Sequence, residues 1–302
     1  MKQFIAEFME RLDFPEEARE EFLRIHDLWE QNPRQYASVE ELTERFSSDP
    51  KAVSYDEVAK ALEVLLPDET VHSYSAQLLF FIYCAKPLRE KYKKENLPED
   101  LYWASMMDLK YKLMECRNIH GVWGTFVGSW FPRFFVPERF ALGRFQYEHA
   151  EFNQAGYEKA GVSLRKGDPV YNIHIPSAGP LTWEARMDSY QKAYAFYQER
   201  DHLGGKPMAI VCHSWLLYPK NRVFFPKTSN ILGFMDDFDI ISGEDQEEFC
   251  DMWRVFGSKG KEPLDRLPTD TSLQRAFVDW LKAGGKTGFG YGVLIFDGEK
   301  IL

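Results

Sequence analysis

The feature that most restricts what this chain can fold into is a change of period along it. Up to about residue 120, apolar side chains recur at helical spacing; beyond Gly121, glycine, proline and phenylalanine cluster and a period of two takes over. A chain of 302 residues is long enough for two cores, one for each pattern. The expected architecture is α+β: an all-helical N-terminal domain, residues 1–120, followed by a mixed-sheet α/β domain, residues 121–302.

In the first half, Phe4, Ile5, Phe8 and Leu12, then Ala18, Phe22, Ile25 and Trp29, predict amphipathic helices on either side of Pro15. Ser38-Val39-Glu40-Glu41 and Ser54-Tyr55-Asp56-Glu57 both fit the capping box, which predicts a helix starting at each serine. A helix from about Val71 to Lys94 is expected to kink or end at Pro87, which has no amide to donate. Leu97-Pro98-Glu99-Asp100 opens another helix, ending near His120.

In the second half, Ala141 to His149 reads as a strand with Phe145 and Tyr147 inward and Arg144, Gln146 and Glu148 on a wet face, where Gln146 and Glu148 either line an acceptor pocket or, the plainer reading, face solvent. Lys166-Gly167-Asp168 is a turn before a strand at Val170 to Ile175. A helix follows Thr182, with Met187, Tyr190, Tyr194 and Tyr197 on one stripe, and Met208 to Leu217 reads as a buried strand. Strand, loop, helix, strand is a βαβ unit, whose crossover is right-handed. Asn230 to Phe234 is a helical turn before Phe238 to Ile241, Thr271 to Ala283 a helix, and Gly288 to Phe296 a final strand. Asp236, Asp237, Asp239, Glu244 and Asp245 do not have calcium-loop spacing and read as a solvated acidic segment.

A net charge of −10 argues against a nucleic-acid partner, which needs surplus Lys and Arg to displace counterions from phosphates. The four cysteines form no CxxC pair or Cys/His cluster, so no metal is expected. The longest apolar run, Leu78 to Ala85, is far short of the ~20 residues of a membrane span. With no apolar leader after Met1, a cytoplasmic protein without a membrane partner is expected. The oligomeric state is left open.

Chemistry is expected at the loop between Ile175 and Thr182, because ligands of open α/β sheets bind beyond the strand ends, where a helix begins. Helix-start amides attract phosphate, Gly179 admits a close backbone approach, and Ser177 and Thr182 add hydroxyls. An ordinary βα loop punctuated by Gly and Pro is the plainer reading. Neither a GxGxxG nor a GxxxxGK[ST] pattern is present, which disfavours dinucleotide and P-loop sites.

The strand Leu142-Gly143-Arg144-Phe145-Gln146-Tyr147, the strand and loop Asn172-Ile173-His174-Ile175-Pro176-Ser177-Ala178-Gly179-Pro180-Leu181, and Cys212-His213-Ser214-Trp215-Leu216-Leu217 resemble bacterial acyltransferases with a helical N-terminal domain and a GNAT-like C-terminal domain. The resemblance spans nearly the whole chain. It implies an acyl-CoA-dependent transferase, using acyl-CoA or acetyl-CoA as co-substrate and a small-molecule amine as acceptor. The cofactor loop would be Ser177, Ala178, Gly179, Leu181 and Thr182, and the two strands that splay to admit the pantetheine arm would be Val170 to Ile175 and Met208 to Leu217. The usual GNAT loop reads Gln/Arg-x-x-Gly-x-Gly/Ala, whereas Ser177 to Thr182 holds a single Gly and a Pro.

Transfer to an amine needs a base for the ammonium proton and an acid for the leaving thiolate. His174 and His213 lie on the proposed splayed strands and are the candidate bases, with buried structural histidines as the alternative; Tyr218 is the candidate acid by its position alone. Cys212-His213-Ser214 is not expected to be a nucleophilic dyad, because successive strand residues face opposite ways. The rival readings are a non-catalytic protein that binds acyl-CoA or another small ligand and, more distantly, a hydrolase using Ser214 or Cys212.

Overall fold

The computed structural model describes all 302 residues, and they form two compact units, Met1–Phe140 and Ala141–Leu302. The first unit contains α1 (Lys2–Arg11), α2 (Glu16–Glu30), α3 (Pro33–Ser48), α4 (Tyr55–Val64), α5 (Ser73–Lys94), α6 (Glu99–His120) and the short α7 (Pro132–Phe135). The apolar run Leu78 to Ala85 is buried throughout because α5 is the central helix, touching α1, α2, α3, α4, α6 and α7. That enclosure also explains why α5 continues through Pro87 instead of ending there. One missing amide costs a helix about 3 kcal/mol, less than is gained by burying Phe80, Phe81, Ile82 and Leu88 around it.

The capping box at Ser54 is present, with its side chain and that of Glu57 exchanging bonds with each other's backbone amides. Ser38 is different. The third helix already starts at Pro33 under an Asn32 cap, and the Ser38 hydroxyl donates back to the Arg34 carbonyl within the helix. A proline at the first helical position is pre-set for helix entry, and it outcompetes the later box.

The second unit continues with β1 (Arg139–Leu142), β2 (Phe145–Glu151), β3 (Gly156–Lys159), β4 (Val162–Arg165), β5 (Pro169–His174), α8 (Trp183–Arg200), β6 (Met208–Ser214), α9 (Asn221–Phe224), α10 (Asn230–Asp236), β7 (Asp239–Gln246), α11 (Met252–Phe256), α12 (Ser272–Lys282) and β8 (Thr287–Phe296). Six strands form a sheet in the order β1-β2-β5-β6-β8-β7, with β5 and β6 parallel and their neighbours antiparallel. Arg139 to Glu151 is broken into two strands by a turn at Gly143, and β6 stops at Ser214, where a tight turn over Trp215–Leu217 replaces the expected strand end.

On one face of the sheet α8 packs Tyr190 and Tyr197 against Phe145, Tyr171 and Phe296. On the other, Leu164 of the β3–β4 hairpin joins Phe152, Val170, Ala209, Val211, Tyr291, Val293 and Ile295 in a core. Residues between β6 and β8 make a second, aromatic core around Phe225, Phe256 and Phe277. No helix is long and apolar enough to cross a membrane. All four cysteines are free thiols.

Candidate functional site

Beyond its two register pairs, Tyr171↔Ile210 and Asn172↔Val211, the parallel ladder between β5 and β6 ends, although both strands run on to His174 and Ser214. The flanking ladders persist: β2 pairs β5 as far as Gln146↔His174, and β6 pairs β8 as far as Ser214↔Gly290. The sheet therefore opens between its two central strands.

Residues opposed in a ladder point to the same face. Gln146↔His174, Glu148↔Asn172 and His213↔Tyr291 place both histidines on the face opposite α8, at the open end and beyond the hairpin-covered core. His174 Nε2 lies 2.8 Å from Glu148 Oε1 and 3.1 Å from Asn172 Nδ2. A carboxylate only accepts, so Nε2–H donates to Glu148, and the Asn172 amide nitrogen, itself a donor, is a close neighbour and not a partner of that nitrogen. Gln146 and Glu148 are only 2% and 6% exposed, so solvent is not where they face: the strand alternates as its sequence does, but this face is covered, and Glu148 there orients an imidazole.

His213 occupies the other bank of the opening. Its side chain is about half exposed, stacks on Phe289 with ring centroids 5.2 Å apart, and brings Nε2 to 3.9 Å from Glu244 Oε1 on β7. Tyr218 follows the tight turn after β6 and is buried, its hydroxyl donating to Asp245, which also receives Lys220. Burial and the Asp245 carboxylate hold the Tyr218 phenol above its ordinary pKa, so it is protonated at neutral pH. Cys212 faces the opposite way from His213, and burial pushes its thiol up to about 12, which leaves no thiolate to act as nucleophile.

The loop from β5 to α8 is organised by a residue that the sequence reading left on a solvent face. Arg144 donates to the carbonyl oxygens of Pro176 at 3.0 Å, Gly179 at 3.1 Å and Pro180 at 3.3 Å. All peptide bonds are trans, so a carbonyl turned toward Arg144 sends the next amide away from it. The amides of Ser177 and Leu181 are thereby aimed away from the guanidinium, while Pro180 contributes none. Gly179 has a φ of +63°, a conformation that side chains disfavour. Within the loop Ala178 N bonds to Pro176 O, and the Thr182 hydroxyl caps α8 by accepting from Ala185 N.

Beneath the loop Arg186 is buried, donating to Leu181 O at 2.6 Å, Gly233 O at 3.0 Å and both oxygens of Asp237. Burial raises the Asp237 pKa against the opposing pull of Arg186 and the Tyr190 hydroxyl. The acidic stretch is thus not a uniformly solvated segment. Asp237 is buried on Arg186, Asp239 receives Tyr157 and Lys159, Asp245 receives Tyr218, and Asp236 pairs with Arg222. No group of His, Cys, Asp and Glu side chains comes together to hold a metal ion.

The arrangement combines a gap between parallel strands, a loop whose carbonyls are gathered on Arg144, and a carboxylate-held imidazole. Against known families, the N-acyltransferase N-terminal domain matches residues 3–136 and the GNAT-like C-terminal domain matches residues 140–294. Among solved structures, the chain is similar to an acyltransferase in complex with decanoyl-CoA and teicoplanin, at 21% identity and a TM-score of 0.74 over 96% of this chain and 87% of that one. It is also similar to an acyltransferase in complex with decanoyl-CoA (22%, TM-score 0.71, 95% and 86%) and to a mutant acyltransferase with octanoyl-CoA (20%, TM-score 0.72, 95% and 86%). No curated protein matches the sequence.

Proposed function

Starting from the fact that this chain belongs to the family with a GNAT-like C-terminal domain, here preceded by an N-acyltransferase N-terminal domain, we propose that it transfers an acyl group from coenzyme A to an amine. The observation that carries the reading is the opening between β5 and β6 immediately before the Arg144-held loop. The loop amides and the start of α8 would receive the phosphates, and the opening would receive the pantetheine arm and its thioester. The solved acyltransferases with bound decanoyl-CoA and octanoyl-CoA, which share this fold, support the choice of ligand.

In the proposed reaction the amine nitrogen attacks the thioester carbonyl in a ternary complex. His174 takes the ammonium proton, and Glu148 steadies the imidazolium that results. The tetrahedral intermediate then releases the thiolate as the carbon–sulfur bond breaks. Tyr218, the acid expected from its position, donates instead to Asp245 on β7 and packs on Gly288, on the face opposite both histidines, so in this scheme the thiolate takes its proton from solvent. His213, stacked on Phe289 and half exposed, is better placed to line the opening than to move a proton. The teicoplanin complex belongs to a similar protein; for this chain the proposal extends only to an amine.

A second reading, binding without turnover, is favoured by one observation: the loop has a single glycine, and Pro180 offers no amide. Calorimetric titration with coenzyme A, paired with a thiol-release assay on acyl-CoA and a panel of amines, separates the two. The transferase reading expects saturable binding and amine-dependent thiol release, with His174→Gln retaining affinity and losing about 10²–10⁴-fold in turnover. Binding with no release from any amine would favour the second reading, and no binding would remove both.

A further inference from the structure

Trp183 is the first residue of α8 and, unlike the other tryptophans of the chain, it is a large apolar side chain left 52% exposed. It directly follows the Thr182 cap, one residue beyond the loop whose carbonyls Arg144 gathers. The Arg186 guanidinium lies over its ring at 5.5 Å from the centroid. Arg186 cannot wander, because Leu181 O, Gly233 O and the Asp237 carboxylate hold it in a buried network. A cation over an indole face is attractive and fixes the ring. The indole is therefore held by an immobilised group while half of its surface faces solution.

A rigid, half-open indole beside an anion-directed loop fits a ligand that carries a flat ring close to a phosphate. Coenzyme A has that chemistry, since its adenine and its diphosphate are joined through one ribose. We propose that Trp183 is the stacking platform for the adenine ring of coenzyme A, an inference that rests on the acyl-CoA reading above and adds the nucleotide end of the ligand to it. Trp183 is a binding residue in this scheme and touches no reacting atom. Its contribution is confined to the part of the ligand farthest from the thioester.

Two ligands distinguish this role from a structural one: coenzyme A, and phosphopantetheine, which keeps a phosphate and the thiol arm but lacks adenosine. Calorimetric titration of the whole chain is expected to show that Trp183→Ala weakens coenzyme A binding about tenfold and leaves phosphopantetheine binding unchanged. Trp183→Phe, which keeps a π face, is expected to restore most of the affinity. Equal losses for both ligands would overturn the proposal, because they would mean that the loop had been disturbed; so would an unchanged affinity for coenzyme A. If the unaltered protein bound phosphopantetheine but gained nothing from adenosine, the platform would be wrong and the acyl-transfer reading would stand. If it bound neither, the coenzyme A reading would fall and take the platform with it.

Discussion

Arg144 shows how one side chain converts a loop of unremarkable composition into a directed surface. Its fork spans three carbonyls, a geometry that a lysine ammonium cannot reproduce. Each of these is a charge-assisted bond, and losing the set is expected to loosen the loop while leaving the sheet intact. Arg144→Ala should weaken coenzyme A binding by about 2 kcal/mol, with Arg144→Lys recovering only part of it, both measured by titration. An Arg144→Lys variant that binds as well as the unaltered protein would show that charge alone matters. In sequence Arg144 was visible only as a polar position in an alternating strand, since nothing local indicates which carbonyls a guanidinium will meet. The pairing of Glu148 with His174 was hidden for the same reason: the two are 26 residues apart.

Among the elements, β8 carries a glycine at every second position from Gly288 to Gly292, and the turn after β6 lies against that face. A methyl group built on Gly290 would sit 2.0 Å from the Leu217 carbonyl oxygen, a backbone atom with no room to retreat. Gly290→Ala should destabilise the second unit by about 1–3 kcal/mol in urea unfolding and displace the turn that carries Tyr218. An unchanged midpoint would mean that the turn adjusts freely. The βαβ order and the helix after Thr271 were legible in the sequence. α5 runs on through Pro87, and α3 starts before Ser38, because a stronger neighbour overrides the local rule: burial on all sides for α5, and an earlier proline start for α3.

For the folded chain as a whole, pH stability should carry the mark of His26, fully buried in the helical unit. Its Nδ1 meets the Tyr83 hydroxyl, whose phenol burial holds well above the ordinary value, and its Nε2 lies 3.3 Å from Glu30. Burial lowers the His26 pKa, with Glu30 opposing. A histidine with a depressed folded-state pKa binds its proton more readily when unfolded, so its contribution is complete above the ordinary value of 6.5 and is lost as pH falls below it. The melting temperature should drop between pH 7 and pH 5, and His26→Gln, though less stable at pH 7, should show a shallower slope. Equal slopes would assign the acid sensitivity to other groups.

The sequence by itself determined the two classes of secondary structure, the strand–helix–strand order of the βαβ unit, and the position of the loop before α8, because periodicity, caps and turn residues act over a few neighbours. It also carried the resemblance that the family matches bear out. Only the tertiary structure decided that the ladder between β5 and β6 stops after Asn172↔Val211, that Glu148 is buried against His174, that the acidic stretch is divided among Arg186, Tyr157, Lys159 and Tyr218, and that Arg144 reaches the loop. These are pairings between residues far apart in the chain. Side-chain hydrogen bonds act over about 3 Å, so the partner of a polar residue is fixed by where the packed elements bring it and not by what precedes or follows it.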